Sequence, residues 1–384
     1  MNIHENLIKI TGYEVLGQLP DPFIMKDGGI ADTPDKWRSH RATLLENTVK
    51  LQYGDILPEP EVFRVEPLYY GMPGRSNIYK IIAGTKEKQA SFRMKVFRPE
   101  TQGKFPVVID GDGCFDYAYD KDFHGAFTKN GLVFALFDRT ELAHDIRKEG
   151  RRQGALYEVY PEYNFGALMA WAWGYSRCVD ALMTLPYVDT ELITFTGHSR
   201  GGKTAMLAGV LDERAAIVNP NSTCAGGCGC YRIHLKAITE DGEERVSETL
   251  DDIYNKFGLW FNEELGEYCG REAELPFDSH FLKALVAPRT LFVSESASDI
   301  WANPVGSWMT TTASNEVYKM LGDEQGIYWY FRRGYHYHEI EDVRMLVNLI
   351  KYKQTGSPLS EEFFKTPFKK PEPIFDWRAP ENEA

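Results

Sequence analysis

Residues 191–211, "ELITFTGHSRGGKTAMLAGVL", constrain the fold of this 384-residue chain more than any other stretch. A short apolar run ends in Gly197-x-Ser199-x-Gly201, and a helix-compatible run follows. That order matches the nucleophile elbow, a tight strand-to-helix turn that lifts a serine hydroxyl above a parallel sheet. Residues flanking the serine must be small, because strand and helix backbones nearly touch there. A serine-capped glycine turn is the plainer reading of GxSxG alone. The strand before it and the helix after it favour a nucleophile.

An elbow needs a parallel sheet around it. "SFRMKVFRP", "FPVVIDGDG" and "LVFALFD" read as strands, "NFGALMAWAWGYSRCVDALMTL" as a helix with apolar residues at three-to-four spacing. The strands "AAIVNPN", "PRTLFVSES" and "GIYWYFRRG" follow the elbow, and "EDVRMLVNLIKYK" closes the pattern as a helix. Such alternation predicts an α/β class, a doubly wound, mainly parallel sheet with helices on both faces. Residues 1–60 read as a mostly helical lead-in and 61–355 as the catalytic domain. The gap from 223 to 287 is too long for one crossover and reads as an insertion over the strand ends. Residues 356–384 are Pro-rich and charged, a tail that is loosely ordered or wrapped on the surface.

A serine becomes nucleophilic when a histidine takes its proton and an acid orients that histidine. In an α/β-hydrolase the acid follows a late strand and the histidine follows the last one. Asp299 sits just past "PRTLFVSES", and both His336 and His338 sit just past "GIYWYFRRG". A turn or capping aspartate is the alternative for Asp299, and a surface or supporting histidine is the preferred reading of His338. The backbone N–H of Arg200, next after the nucleophile, is an oxyanion donor in this fold. Its side chain offers a fixed cation to a carboxyl-derived group, or else a structural ion pair. Lys203 lies one helical turn past Ser199 and can reach back toward it, or stand as an ordinary solvated lysine. "DGDG" at 110–113 is either a second oxyanion segment or a plain glycine turn.

Composition narrows the partners. Fifty-six acidic against forty-three basic residues leave a net charge of −13, which argues against nucleic acid. No apolar run approaches a membrane span. The N-terminus, "MNIHENLIKITGYEVLGQLPDPF", has no signal-peptide pattern, and the expectation is a cytoplasmic protein. Cys224, Cys228 and Cys230 cluster without a CxxC pair, so buried thiols are expected rather than a metal site.

Four segments carry a more specific likeness: "GHSRGGKTAMLAG", "YNFGALMAWAWGYSRCVDAL", "LPFDSHFLKALVAPRTLFVSES" and "DIWANPVGS". Together they resemble the glucuronoyl esterases, carbohydrate esterase family fifteen, bacterial-type members in particular, from about residue 19 to about 353. The resemblance implies an α/β-hydrolase fold and cleavage of esters between (4-O-methyl-)glucuronic acid and an alcohol, with no metal or organic cofactor. It implies Ser199 as nucleophile, His336 as base, Arg200 at the oxyanion, Lys203 on the sugar hydroxyls, Trp301 against the uronate and Glu248 facing the sugar. The substrate is then a small uronate ester or oligosaccharide.

The sequence departs from the family in one place. Many relatives carry the acid as a glutamate in an "ESGxGG"-like stretch, where this chain reads "NSTCAGGCGCYR" with Ser222 at that position. A serine cannot hold a charge against an imidazolium. Some bacterial relatives use an acid after the seventh strand instead, where Asp299 lies. His198 stands where fungal relatives have a disulfide-forming cysteine. Two other functions compete: a different carbohydrate or acetyl esterase on this fold, which would not need Arg200, Lys203 and Trp301, and a non-catalytic carbohydrate-binding relative, which would not need the serine, acid and histidine.

Overall fold

The computed structural model describes residues 9–72, 75–239, 242–369 and 372–380. In chain order its strands and helices, short 3₁₀ turns aside, are β1 (Lys9–Val15), α1 (Pro34–Tyr53), β2 (Val62–Tyr69), β3 (Ser76–Gly84), β4 (Gln89–Phe97), β5 (Phe105–Asp110), α2 (Lys121–Thr128) and β6 (Val133–Phe137). Then follow α3 (Ala155–Val159), α4 (Ala167–Leu182), β7 (Val188–His198), α5 (Arg200–Leu211), β8 (Ala215–Asn221), β9 (Ile233–Ile238), β10 (Glu244–Val246) and α6 (Leu250–Phe257). The last are α7 (Ser279–Val286), β11 (Thr290–Ser296), α8 (Pro304–Met320), β12 (Ile327–Arg332) and α9 (Ile340–Thr355).

Nine of these strands form one sheet in the order β12-β11-β8-β7-β5-β6-β4-β3-β2. The six from β12 to β6 run parallel, and β4, β3 and β2 add an antiparallel edge. The inner strands are apolar runs because both faces are covered. Along β5, Val107 and Ile109 pack on the side of α1, α4, α5 and α7, while Val108 packs with α2 and α9 on the other. The strand order reverses direction around β5 and β7, and the loops at their carboxyl ends hold the site. This is the α/β-hydrolase arrangement.

Two readings need correction, and the tail settles on one of its two alternatives. The lead-in is not only helical: β1 pairs antiparallel with β9, and β9 with β10, in a separate three-stranded sheet. Only the first five of the seven residues in β1 alternate between exposed and half-buried, too weak a pattern to announce a strand whose partner lies over two hundred residues on. The insertion ends earlier than 287. Its last helix, α7, is the crossover into β11: every residue of it is buried, and Asp278 caps its first N–H at 2.7 Å. The same carboxylate accepts the Tyr231 N–H at 3.0 Å, so it closes the base of the insertion. The tail, where described, wraps the surface: Phe363, Phe368, Ile374 and Phe375 are buried, and Leu19 N–H donates to the Ile374 carbonyl at 2.7 Å. Residues 1–8, 370–371 and 381–384 of the lead-in and tail lie outside the described residues.

Candidate active site

Ser199 joins β7 to α5 with φ 56° and ψ −116°, a strained conformation for a residue with a side chain. Its neighbours explain why glycines surround it. A Cβ on Gly197 would lie 2.5 Å from the Gly201 carbonyl oxygen, and one on Gly201 would run into the Asp112 carboxylate. Asp112 belongs to the "DGDG" turn after β5. It accepts the His198 N–H at 2.9 Å and the Tyr117 hydroxyl at 2.5 Å, and it pairs with the fully buried Arg139. Part of that turn therefore braces the elbow from below.

Two loops converge on the Ser199 hydroxyl. His336, after β12, places Nε2 2.8 Å from Ser199 Oγ. Its Nδ1 lies 2.5 Å from Asp299 Oδ2, in the loop after β11. Asp299 is buried while His336 is half-exposed, so the acid is shielded and the base opens toward solvent. Arg332 holds the histidine loop: its Nη2 donates to the carbonyls of Tyr335 and Tyr337, on either side of His336, and its Nε to Asp342 at 2.8 Å. Burial pushes the Asp342 carboxyl up to about 6.

His338 points elsewhere. Its ring lies edge-on to Phe123 at 5.0 Å and to Tyr117 at 5.6 Å, and stacks on His198 at 5.6 Å. Burial and the adjoining His198 hold its pKa well below the ordinary value. His198 bonds Asn221 Oδ1 at 2.6 Å through Nδ1, and burial followed by His336 lowers its pKa to about 4. Burial thus disfavours a positive charge on both rings beside His336. Ser222 is buried with φ 44°, and its Oγ has no hydrogen-bond partner among the described residues.

The Arg200 N–H opens α5, where first-turn donors lack intrahelical acceptors. The Arg200 guanidinium pairs with Asp145 at 2.8 Å and lies 4.8 Å over Trp260 and 5.1 Å over Phe257. Trp260 Nε1 donates to the other oxygen of Asp145 at 2.8 Å. Lys203 is buried, donates to the Thr223 carbonyl and sits 5.9 Å from the Trp260 ring. Glu248 is also buried. Its N–H donates to the Trp301 carbonyl at 3.0 Å, and its Oε2 has no partner among the described residues. Burial raises its pKa and Lys203 opposes the rise. Trp301 is 38% exposed, with Lys256 Nζ 4.2 Å over its ring. A cavity of about 290 Å³ joins Trp301, Asp299 and His336 to Arg245 and Tyr335.

Asp145, Trp260 and Arg332 were not read from sequence. Asp145 and Trp260 reach Arg200 from loops with no motif of their own, and Arg332 is one of two arginines in "FRRG". The three clustered cysteines are buried free thiols. Among the described residues no group of three or more His, Cys, Asp or Glu side chains is placed to hold a metal.

The family model for fungal glucuronyl esterases matches residues 81–322, well over half of the chain. The chain belongs to the glucuronyl esterase family. It is 30% identical over 330 residues to the 4-O-methyl-glucuronoyl methylesterase of Hypocrea jecorina (strain QM6a), covering 84% of this chain and 66% of that one. Similarity to the enzyme of the same name from Cerrena unicolor is 28% over 313 residues, 79% of this chain and 62% of that one. The chain thus spans less than two thirds of the length of these two relatives. Among solved structures, a family fifteen glucuronoyl esterase from Caldicellulosiruptor kristjansonii superimposes with a TM-score of 0.82 at 30% identity, covering 95% of this chain and 98% of that one. The glucuronoyl esterase catalytic domain from Hypocrea jecorina gives 0.78 at 26% identity, covering 96% and 98%.

Proposed function

We propose that the protein is a serine-type carboxylic ester hydrolase that cleaves esters of glucuronic acid through an acyl-enzyme. The observation that carries this reading is the continuous hydrogen-bonded line Ser199–His336–Asp299, formed from three loops of one family fold. His336 Nε2 takes the Ser199 proton as Oγ attacks the carboxyl carbon. The Arg200 N–H faces the charge that develops on the carbonyl oxygen. Collapse of the tetrahedral intermediate breaks the bond to the alcohol, which leaves with the proton from His336. Water then repeats the sequence and releases the free uronate, returning Ser199 and His336 to their starting states.

The uronate preference rests on the relatives' substrates and on the groups around the serine. Lys203 has donors left after Thr223, and Glu248 Oε2 is a buried acceptor suited to a sugar hydroxyl. Trp301 offers an exposed aromatic face beside His336. An acetyl ester would engage none of them. Benzyl glucuronate tests the proposal: the enzyme should hydrolyse it, and Ser199→Ala should keep its fold while losing about 10⁴-fold or more in kcat. Residual activity within about tenfold of the parent would remove Ser199 as nucleophile.

A further inference from the structure

A second feature lies outside this site. Between the start of β3, the end of β4 and the helix α2 runs an open groove of about 1240 Å³. Arg75, Lys95, Arg98, Lys121 and Lys129 line it, against two carboxylates, Glu100 and Asp122. That is a local surplus of three positive charges in a chain whose net charge is −13. Ion pairs are common elsewhere on the molecule, yet none of these five cations has a carboxylate within 4 Å among the described residues. Five cations along one groove with no carboxylate partner draw anions toward it.

Aromatic faces accompany the charge. Tyr69 and Tyr119 line the groove and are 52% and 44% exposed. Lys95 Nζ stands 5.2 Å over the Tyr119 ring and 5.1 Å over Phe97, and His124 stacks on Phe97 at 4.1 Å. Burial, then Lys95, Lys121 and Lys129, disfavour protonation of His124, and Asp120 opposes them. Exposed ring faces beside cations suit pyranose rings that carry carboxylates. A duplex nucleic acid, with a charge about every 1.7 Å, would meet the acidic remainder of the surface. Only the Tyr119 end of the groove reaches toward the elbow, where the Tyr119 hydroxyl donates at 3.1 Å to the carbonyl of Gly113, next to Asp112; Phe97, further along, pairs with Phe134 near the amino end of β6.

We propose that this groove is a second carbohydrate-binding site, which holds a stretch of uronate-bearing glycan apart from the ester being cleaved. This rests on the glucuronate-esterase reading for the kind of glycan, and binding can be measured without turnover. Mobility in native gels with and without glucuronoxylan, with a neutral xylan as control, gives the affinity. The wild type should be retarded by the acidic glycan, much less by the neutral one, and released by about 0.5 M salt. The double variant Lys95→Glu/Lys129→Glu should lose about tenfold or more in affinity while its kcat/KM on benzyl glucuronate stays within about twofold. Equal retardation by both xylans, an unchanged double variant, or tighter binding of duplex DNA than of glycan would each overturn the site. Failure of the wild type to hydrolyse benzyl glucuronate would instead count against the esterase reading, whichever way the gels came out.

Discussion

His336 and His338 stand two residues apart and do different work. Nε2 of His336 reaches Ser199 Oγ, whereas His338 packs among Tyr117, Phe123 and His198. We expect His336→Ala to lose about 10⁴-fold in kcat, since the base is part of a unit. His338→Ala should keep kcat within a few-fold and lower stability by about 1–3 kcal/mol through the gap it leaves, read from steady-state rates and a denaturant midpoint. The reverse pattern would move the base two residues along. For the acid, Asp299→Asn should cost roughly 10³–10⁴-fold in kcat, because an amide holds the wrong tautomer and supplies no charge. A near-wild-type rate would turn attention to another carboxylate, Glu248 first. At this scale the elbow and the strand-end positions of Asp299 and His336 were legible, because chain order in this fold ties them to strands. Asp145 and Trp260 were not, since each meets Arg200 across 55 or more positions of chain. Nothing local in a sequence records such a meeting.

The elements that carry the site were legible to different degrees for a physical reason. Parallel inner strands are covered on both faces and read as apolar runs, and α4 shows helical spacing. β1 is mostly exposed and pairs with β9, and α7 was hidden at the end of a long gap whose other segments are two short strands, the two-turn helix α6 and short 3₁₀ turns. One element-level device makes a pH prediction. Glu295, at the end of β11, is fully buried with its Oε1 accepting from Ser307 Oγ of α8 at 2.9 Å. Burial pushes its carboxyl from 4.5 up to about 8, against the pull of Ser307 and Lys283. A carboxyl held above its ordinary value binds its proton more tightly in the fold than in the unfolded chain, so ionising it costs stability. The loss should start near pH 4.5 and be complete above about pH 8. Glu295→Gln keeps the acceptor and removes the titration. Its Tm relative to the parent should rise steadily from pH 5 to pH 9, by an amount on the order of a few kcal/mol in stability. A difference that does not change with pH would place the carboxyl outside that range.

Across the whole molecule, charge and fold point in one direction. A chain with net charge −13 keeps two cations near Ser199, the buried Lys203 and the half-buried Arg200, and gathers cations without carboxylate partners in the groove along α2. The strand ends of the large sheet carry the loops that meet at Ser199, and Ile233 and Leu235 of the small sheet pack in one cluster with Ile300, next to Asp299. Overall charge excluded partners from sequence, but its distribution became visible only once the chain was folded. The central claim is that this constellation selects a uronate ester, and the most direct measurement is the ratio of kcat/KM on benzyl glucuronate to kcat/KM on an aryl acetate. Losing the contacts of Lys203 with the sugar should alone cost about 1.5–3 kcal/mol, or roughly 10–150-fold. The account therefore predicts a ratio of about 10² or more in favour of the glucuronate. A ratio near one, or a preference for the acetate, would contradict it.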